Sequence, residues 1–274
     1  MAHRLLVTCP DQPGIIAEVS RFLFDQGANI VHSDQHTSSG DPRRFFLRVE
    51  FEGVDPDLSS RFRPIGDQFG MQFRFVDAAS RKRILLLASK EDHCPQELLW
   101  QIRAGDIDAE VVGIASNHDS MRPLADEFGL PFFALDTTDR SIAESRMLEL
   151  ASGADLLVLA RYMQILSPEF LSACPVPAIN IHHSFLPAFV GANPYKQAFA
   201  RGVKLIGATA HYVTEELDAG PIIDQDVQRV DHRMDVADLR RIGRLSERMV
   251  LARAVKWHVE DRVLLDGHRT VVFS

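Results

Sequence analysis

Along the first 80 residues the apolar positions switch between two periods. Residues 3–9 (HRLLVTC) form a short apolar run with β character, and Pro10, Asp11, Pro13 and Gly14 are turn residues that stop a strand and open a helix. Ile15, Ile16, Val19, Phe22 and Leu23 then recur at helical spacing, and Gly27 stands where a C-cap glycine ends a helix. Residues 28–37 read as a second strand, Ser38 to Asp41 as a turn, and residues 44–51 alternate as a third strand. Leu58, Phe62, Ile65 and Phe69 share a helical face, and residues 71–76 alternate as the last strand. The order strand, helix, strand, strand, helix, strand predicts a ferredoxin-like βαββαβ domain over residues 1–80.

Residues 78–83 (AASRKR) are small and basic and suit a linker. After them strands and helices alternate. Residues 84–88 form a continuous apolar run, as a strand buried on both faces does, and residues 97–104 read as a helix. Strands follow at 110–115, 131–135, 155–160 and 178–181, with helices at 121–128 and 141–150 between them. The pattern predicts a Rossmann-like, doubly wound α/β domain with a mostly parallel sheet over residues 81–274, closing with a helix near 236–259 and a final hairpin. Ligands of such sheets bind beyond the carboxyl ends of the strands. The segments after Ala160 and Ile181 should therefore line the site.

Composition narrows the function classes. Of the 274 residues 46% are hydrophobic and 25% charged, enough apolar material for a sizeable core and too much for long disorder. The formal charge is −8 and both predicted domains are net acidic, so neither carries the basic excess of a nucleic-acid reader. Cys9, Cys94 and Cys174 lie far apart and form no CxxC pair, so neither a zinc ribbon nor a redox motif is signalled. Scattered reduced cysteines suit the cytosol. Asp11 and Pro13 interrupt the N-terminus too early for a signal-peptide core, and no apolar run approaches the ~20 residues of a membrane span. The expectation is a cytoplasmic protein with no nucleic-acid or membrane partner.

Residues 11–30 (DQPGIIAEVSRFLFDQGANI) resemble the signature of ACT domains. In that family the turn after the first strand and the first helix help bind a small effector, often an amino acid, across a domain pair. The resemblance implies Asp11, Gly14 and Asn29 as effector-binding residues, and a homo-oligomer, a dimer or a tetramer. Read without it, Gly14 permits a tight turn and Asn29 caps a strand.

The unusual polar residues gather later. INIHHSFLP, residues 179–187, puts Asn180 and His182 two apart, so in extended chain they point the same way, and His183 points to the opposite face. An amide donor beside an imidazole can hold a developing oxyanion and move a proton; the same pair can also serve to satisfy buried backbone groups. GATAHYVTEELDAGPIIDQ, residues 207–225, alternates as a strand and then turns at Ala219, Gly220 and Pro221. Asp218 stands just before that turn, as a catalytic carboxylate or as a turn residue binding its own backbone.

Together these two segments resemble the core of the folate-dependent formyltransferase family over roughly residues 82–274. The resemblance implies Asn180, His182 and Asp218 as the catalytic set, with 10-formyltetrahydrofolate as the substrate and no cofactor; His182 and His183 are adjacent and should face opposite ways, unlike a chelating pair, so no metal is expected. ARYMQILSPEFL, residues 160–171, is similar to the family's pterin-wrapping segment, which implies substrate contacts from Met163, Gln164, Ile165 and Leu166, and from Val213 to Leu217 across the facing loop. Without the resemblance those apolar residues read as core. His211 is either site-adjacent or a packing residue.

Among the family's members the wording HHSFLPAFVGANPY and an ACT-like domain ahead of the catalytic one resemble the hydrolytic branch. The loop after the domain's first strand, SKEDHCPQ at residues 89–96, has no glycine and carries Glu91 and Asp92, unlike the Gly-rich phosphate cradle of the ribonucleotide transferases. The resemblance thus implies hydrolysis to tetrahydrofolate and formate, supplying formate for purine synthesis and balancing folate pools. Methionine and glycine, opposed effectors in that branch, are the first candidates for the ACT-like domain. The alternatives are a formyl transferase with an amine acceptor and a non-enzymatic amino-acid or folate sensor.

Overall fold

The computed structural model describes residues 2–53, 58–189, 191 and 193–274. The chain divides into two compact units, residues 1–81 with 260–274, and residues 82–259.

In the first unit β1 (Ala2–Pro10), α1 (Ile15–Asp25), β2 (Asn29–Thr37), β3 (Arg44–Glu52), α2 (Ser59–Phe69) and β4 (Gln72–Asp77) follow in the predicted order. The sheet order is β2-β3-β1-β4, and every paired neighbour is antiparallel. Leu5, Val7, Val19, Phe22, Leu47 and Phe62 fill the core between sheet and helices.

The second unit begins with β5 (Lys82–Ala88), α3 (His93–Ala104), β6 (Ala109–Ser116), α4 (Arg122–Phe128), β7 (Phe132–Ala134), α5 (Arg140–Ala151) and β8 (Leu156–Leu159). It continues with α6 (Pro168–Ala173), β9 (Ala178–His182), α7 (Pro194–Arg201), β10 (Leu205–Tyr212), β11 (Ile222–Arg229) and α8 (Val236–Val259). The seven strands lie in the order β11-β10-β9-β8-β5-β6-β7. Strands β5 to β9 pair in parallel, and β10 and β11 add an antiparallel edge. The chain steps outward from β5 through β6 to β7 and then resumes at β8, so the order reverses between β5 and β8, where a doubly wound sheet opens a crevice.

Three expectations are corrected. The final hairpin, β12 (Val263–Asp266) and β13 (Arg269–Val272), does not belong with the second unit, as the boundary at 80/81 implied; residues 260–274 fold with the first. Leu264, Val271 and Phe273 pack on Leu6 and Phe46, on the sheet face opposite α1 and α2. Asp261 meets Arg4 at 3.3 Å and Arg74 at 2.8 Å. For that reason β3 does not simply alternate: Phe45, Phe46, Leu47, Arg48 and Val49 are all buried, because both faces of the strand are covered. Lastly, α3 starts at His93 rather than Glu97. Pro95 fits its first turn, where amide hydrogens need no helical acceptor, and the Gln96 N–H closes that turn on the Asp92 carbonyl at 2.9 Å.

Candidate active site

The site is built where β8, β9 and β10 run side by side. Asn180 of β9 lies opposite Leu159 of β8 on one side and His211 of β10 on the other, and His182 lies opposite Thr209. Because side chains alternate along a strand, Asn180, His182 and His211 emerge on one face. Asp218 reaches them from the loop between β10 and β11. Its backbone is left-handed (φ 57°), a conformation an aspartate tolerates better than most residues. Gly220 lets that loop close, since a β-carbon there would stand 1.8 Å from the Tyr212 carbonyl oxygen.

The Nδ1 of His182 is 3.3 Å from Asp218 Oδ2, and His211 Nε2 is 3.8 Å from Asp218 Oδ1. The Nδ1 of His211 faces the Tyr212 carbonyl at 2.9 Å, and a carbonyl only accepts. The proton of His211 therefore sits on Nδ1, and its Nε2 accepts from the Asn180 amide at 3.2 Å. Burial, the largest influence on His211, lowers its pKa and keeps the ring neutral. Burial alone would raise Asp218, but the hydrogen bond and charge of His182, with His211 and the Gly191 N–H, hold its carboxyl below the usual range. Asp218 is thus an anion that fixes the Nδ1–H tautomer of His182. The Nε2 of His182 is buried and has no hydrogen-bond partner among the described residues, which makes it the atom free to take and return a proton.

Two cavities adjoin this set. One is small and lined by Gln164, Ile165, Leu166, Asn180, His211 and the loop from Val213 to Asp218. The other, about 460 Å³, is lined by Arg140, Glu144, Tyr162, Met163 and again by Gln164, Ile165 and Leu166. Ten of the sequence-predicted residues are brought together here. Asn180, His182, His211 and Asp218 form the polar centre, Gln164, Ile165, Val213 and Leu217 the walls beside it. Leu166 has two roles, lining both cavities and sealing the core beneath. Met163 lines only the larger of the two. His183 turns away from this centre, as alternation requires, into a third cavity with Arg161 and Tyr195.

The effector candidates are not gathered in one chain. Gly14 (φ 96°) precedes α1 and Asp11 donates its N–H to the Arg43 carbonyl nearby, whereas Asn29 begins β2 past the far end of α1, opposite Glu52. At 1.5 Å per helical residue, α1 alone separates them by roughly 16 Å.

Sequence reasoning missed a buried polar cluster. Glu247 on α8 accepts from the Tyr195 hydroxyl at 2.5 Å and pairs with His93 Nε2 at 2.8 Å; Gly243 makes room for the tyrosine ring. Burial alone would raise the Glu247 carboxyl, but the His93 hydrogen bond and the Arg161 charge hold it well below the usual range. Periodicity carries no signal for this glutamate, since its partners lie far away in sequence. No ligand cluster was visible in the residue spacing, yet His93, Cys94 and Glu247 bring ligand-type atoms within 4.8 Å of one another. Both Glu247 oxygens are already engaged, and Arg161 Nε stands 3.4 Å from one of them, so a cation there would face a guanidinium. No helix of the described residues is long and apolar enough to cross a membrane.

Comparison with known proteins places the chain in a family. The formyl transferase family matches residues 82–255, and the ACT domain family matches residues 3–67. The class is a formyl transferase fold carrying an ACT domain ahead of it. A formyltetrahydrofolate deformylase of Bacillus subtilis is 51% identical over 280 residues, covering 99% of this chain and 93% of the relative. The crystal structure of a formyltetrahydrofolate deformylase from Pseudomonas syringae superposes with a TM-score of 0.95 at 44% identity, covering 100% of this chain and 94% of the other. A glycinamide ribonucleotide transformylase structure from Symbiobacterium toebii matches at a TM-score of 0.67 and 32% identity, but over only 71% of this chain and 95% of its own. The chain belongs to the formyltetrahydrofolate deformylase family.

Proposed function

We propose that this protein hydrolyses 10-formyltetrahydrofolate to tetrahydrofolate and formate. The observation that carries the reading is the Asn180, His182 and Asp218 set beside walls built by residues 164–166 and 213–217, in a chain that matches deformylases over its whole length. In the reaction water adds to the formyl carbon as His182 Nε2 takes one of its protons. The Asn180 amide donates to the oxygen that becomes negative, and Asp218 balances the imidazolium charge. The carbon–nitrogen bond then breaks, His182 returns the proton to the departing folate nitrogen, and formic acid ionises to formate. The folate occupies the two joined cavities, with its ring against Ile165, Leu166 and Val213. No step requires a metal or a cofactor.

A transferase reading is less well supported. Ser89, Lys90, Glu91 and Asp92 follow β5 with no glycine to cradle a phosphate, and the transformylase relative covers only 71% of this chain. The ACT domain supports an amino-acid effector bound between copies of the chain, because Asn29 and Gly14 lie too far apart to share a ligand in one copy. A homo-oligomer follows from that reading. Cys9, Cys94 and Cys174 are all free, which fits a reducing cytoplasm. The test is formate release from 10-formyltetrahydrofolate with no amine present and a chelator added. Turnover only when glycinamide ribonucleotide is supplied would overturn the hydrolase reading.

A further inference from the structure

The third cavity, of about 310 Å³, lies where the sheet order reverses: Glu91 and His93 follow β5, and Arg161 follows β8. Four cations line it, Arg161, Lys196, Arg240 and Arg244, against two carboxylates, Glu91 and Glu247. Arg244 pairs with Glu91 at 2.8 Å, and Glu247 is engaged by Tyr195, by His93 and, at 3.4 Å, by Arg161, so Lys196 and Arg240 leave the cavity a positive excess. His183 adds no charge, since burial and Arg161 push its pKa down to about 3.

Arg161 is the unusual member. Its backbone is left-handed (φ 66°), a costly conformation for a long side chain, and that side chain is only 11% exposed. Its Nε faces Glu247 Oε2 in an ion pair at 3.4 Å, and its Nη1 is buried without a hydrogen-bond acceptor among the described residues. Buried donors are almost always met, and the Nη1 and Nη2 ends of a guanidinium form a planar fork that fits two carboxylate oxygens. The cavity also abuts the reaction centre: His183 directly follows His182, and Met163 lines both this cavity and the larger of the two beside Asn180.

We propose that this cavity is a carboxylate-anion site that receives the formate released at His182, with Arg161 as its anchor. The proposal rests on the deformylase reading. Formate forms beside the Asp218 anion, which repels it, and the adjoining cationic cavity draws it off and frees the centre for the next water.

The test titrates folate-free protein with ¹³C-formate and follows its NMR line width, with acetate, inorganic phosphate and chloride as competitors. Wild type should bind formate saturably, acetate should compete better than phosphate, and Arg161→Gln should weaken binding at least about tenfold, the loss of one charge-assisted fork. Arg161→Lys should restore part of it. If Arg161→Gln does not fold, the Lys196→Gln/Arg240→Gln pair, both exposed at the rim, should still weaken binding several-fold. Unchanged formate binding in a folded Arg161→Gln or in the rim pair overturns the proposal, as does the absence of saturable binding in wild type. Phosphate outcompeting acetate also overturns it, by making the cavity a phosphate site. Formate binding without turnover of formyltetrahydrofolate would remove the deformylase reading alone, and turnover without formate binding would remove this site alone.

Discussion

Asp218→Asn isolates the charge of the carboxylate from its shape. The amide keeps the size of the side chain and its place before the turn at Gly220, but it cannot balance an imidazolium. At the observed 3.3 Å and an effective dielectric of about 20, the carboxylate–imidazolium attraction is about 5 kcal/mol. A neutral hydrogen bond from the replacement amide recovers roughly 1 kcal/mol of that, leaving about 4 kcal/mol missing at the transition state. Each 1.36 kcal/mol is tenfold in rate, so turnover should fall by about a thousandfold. Because residues 164–166 and 213–217 are untouched, KM for 10-formyltetrahydrofolate should change little, and kcat should carry the loss. Initial rates of formate release give both constants, and a thermal melt checks that the fold survives. A kcat within tenfold of wild type in a folded variant would refute the role given to Asp218.

The strand alternation at β9 makes a paired prediction. Asn180→Ala should cost about a hundredfold or more in kcat through the lost oxyanion donor, while His183→Ala, facing the cationic cavity, should cost less than tenfold; equal losses would contradict the assignment of faces. Glu247 carries a pH signature. Its carboxyl is held below the ordinary 4.5, so its stabilising effect is complete above that value and fades as pH falls from there towards about 2. Melting temperatures of wild type and Glu247→Gln should therefore differ most above pH 5 and converge in acid; a constant gap would mean the pairing is not electrostatic. In the first unit a β-carbon at residue 14 would meet only the Phe69 ring, at 3.9 Å, so Gly14→Val suffers from its φ of 96° rather than from crowding. Denaturant melts should show a loss of about 1–2 kcal/mol. Methionine and glycine should shift wild-type formate release several-fold, and the variant should respond less; no response in wild type would leave the domain an assembly role.

Local patterning was enough to write down the order from β1 to β4 in the first unit and most of the second, where the short helices α6 and α7 went unread and the final hairpin was put in the wrong unit. A two-residue period put Asn180 and His182 on one face and His183 on the other, and a strand end followed by a tight turn put Asp218 within reach. These features depend on neighbours along the chain, which is where hydrophobic periodicity and turn chemistry act. What periodicity records is which positions must be covered, and it is silent on what covers them. The five consecutive buried residues from Phe45 to Val49 make sense only once the hairpin at 263–272 lies on the far face of the sheet. The distance between Gly14 and Asn29 follows from the length of α1, and so only the fold separates two residues that one motif had grouped. Glu247 and His93 are 154 residues apart, and the unmet Nη1 of Arg161 exists only because α8 and the loops after β5 and β8 converge where the sheet reverses. Buried charge is a property of the surroundings, and in this protein those surroundings are assembled from segments that share no local pattern.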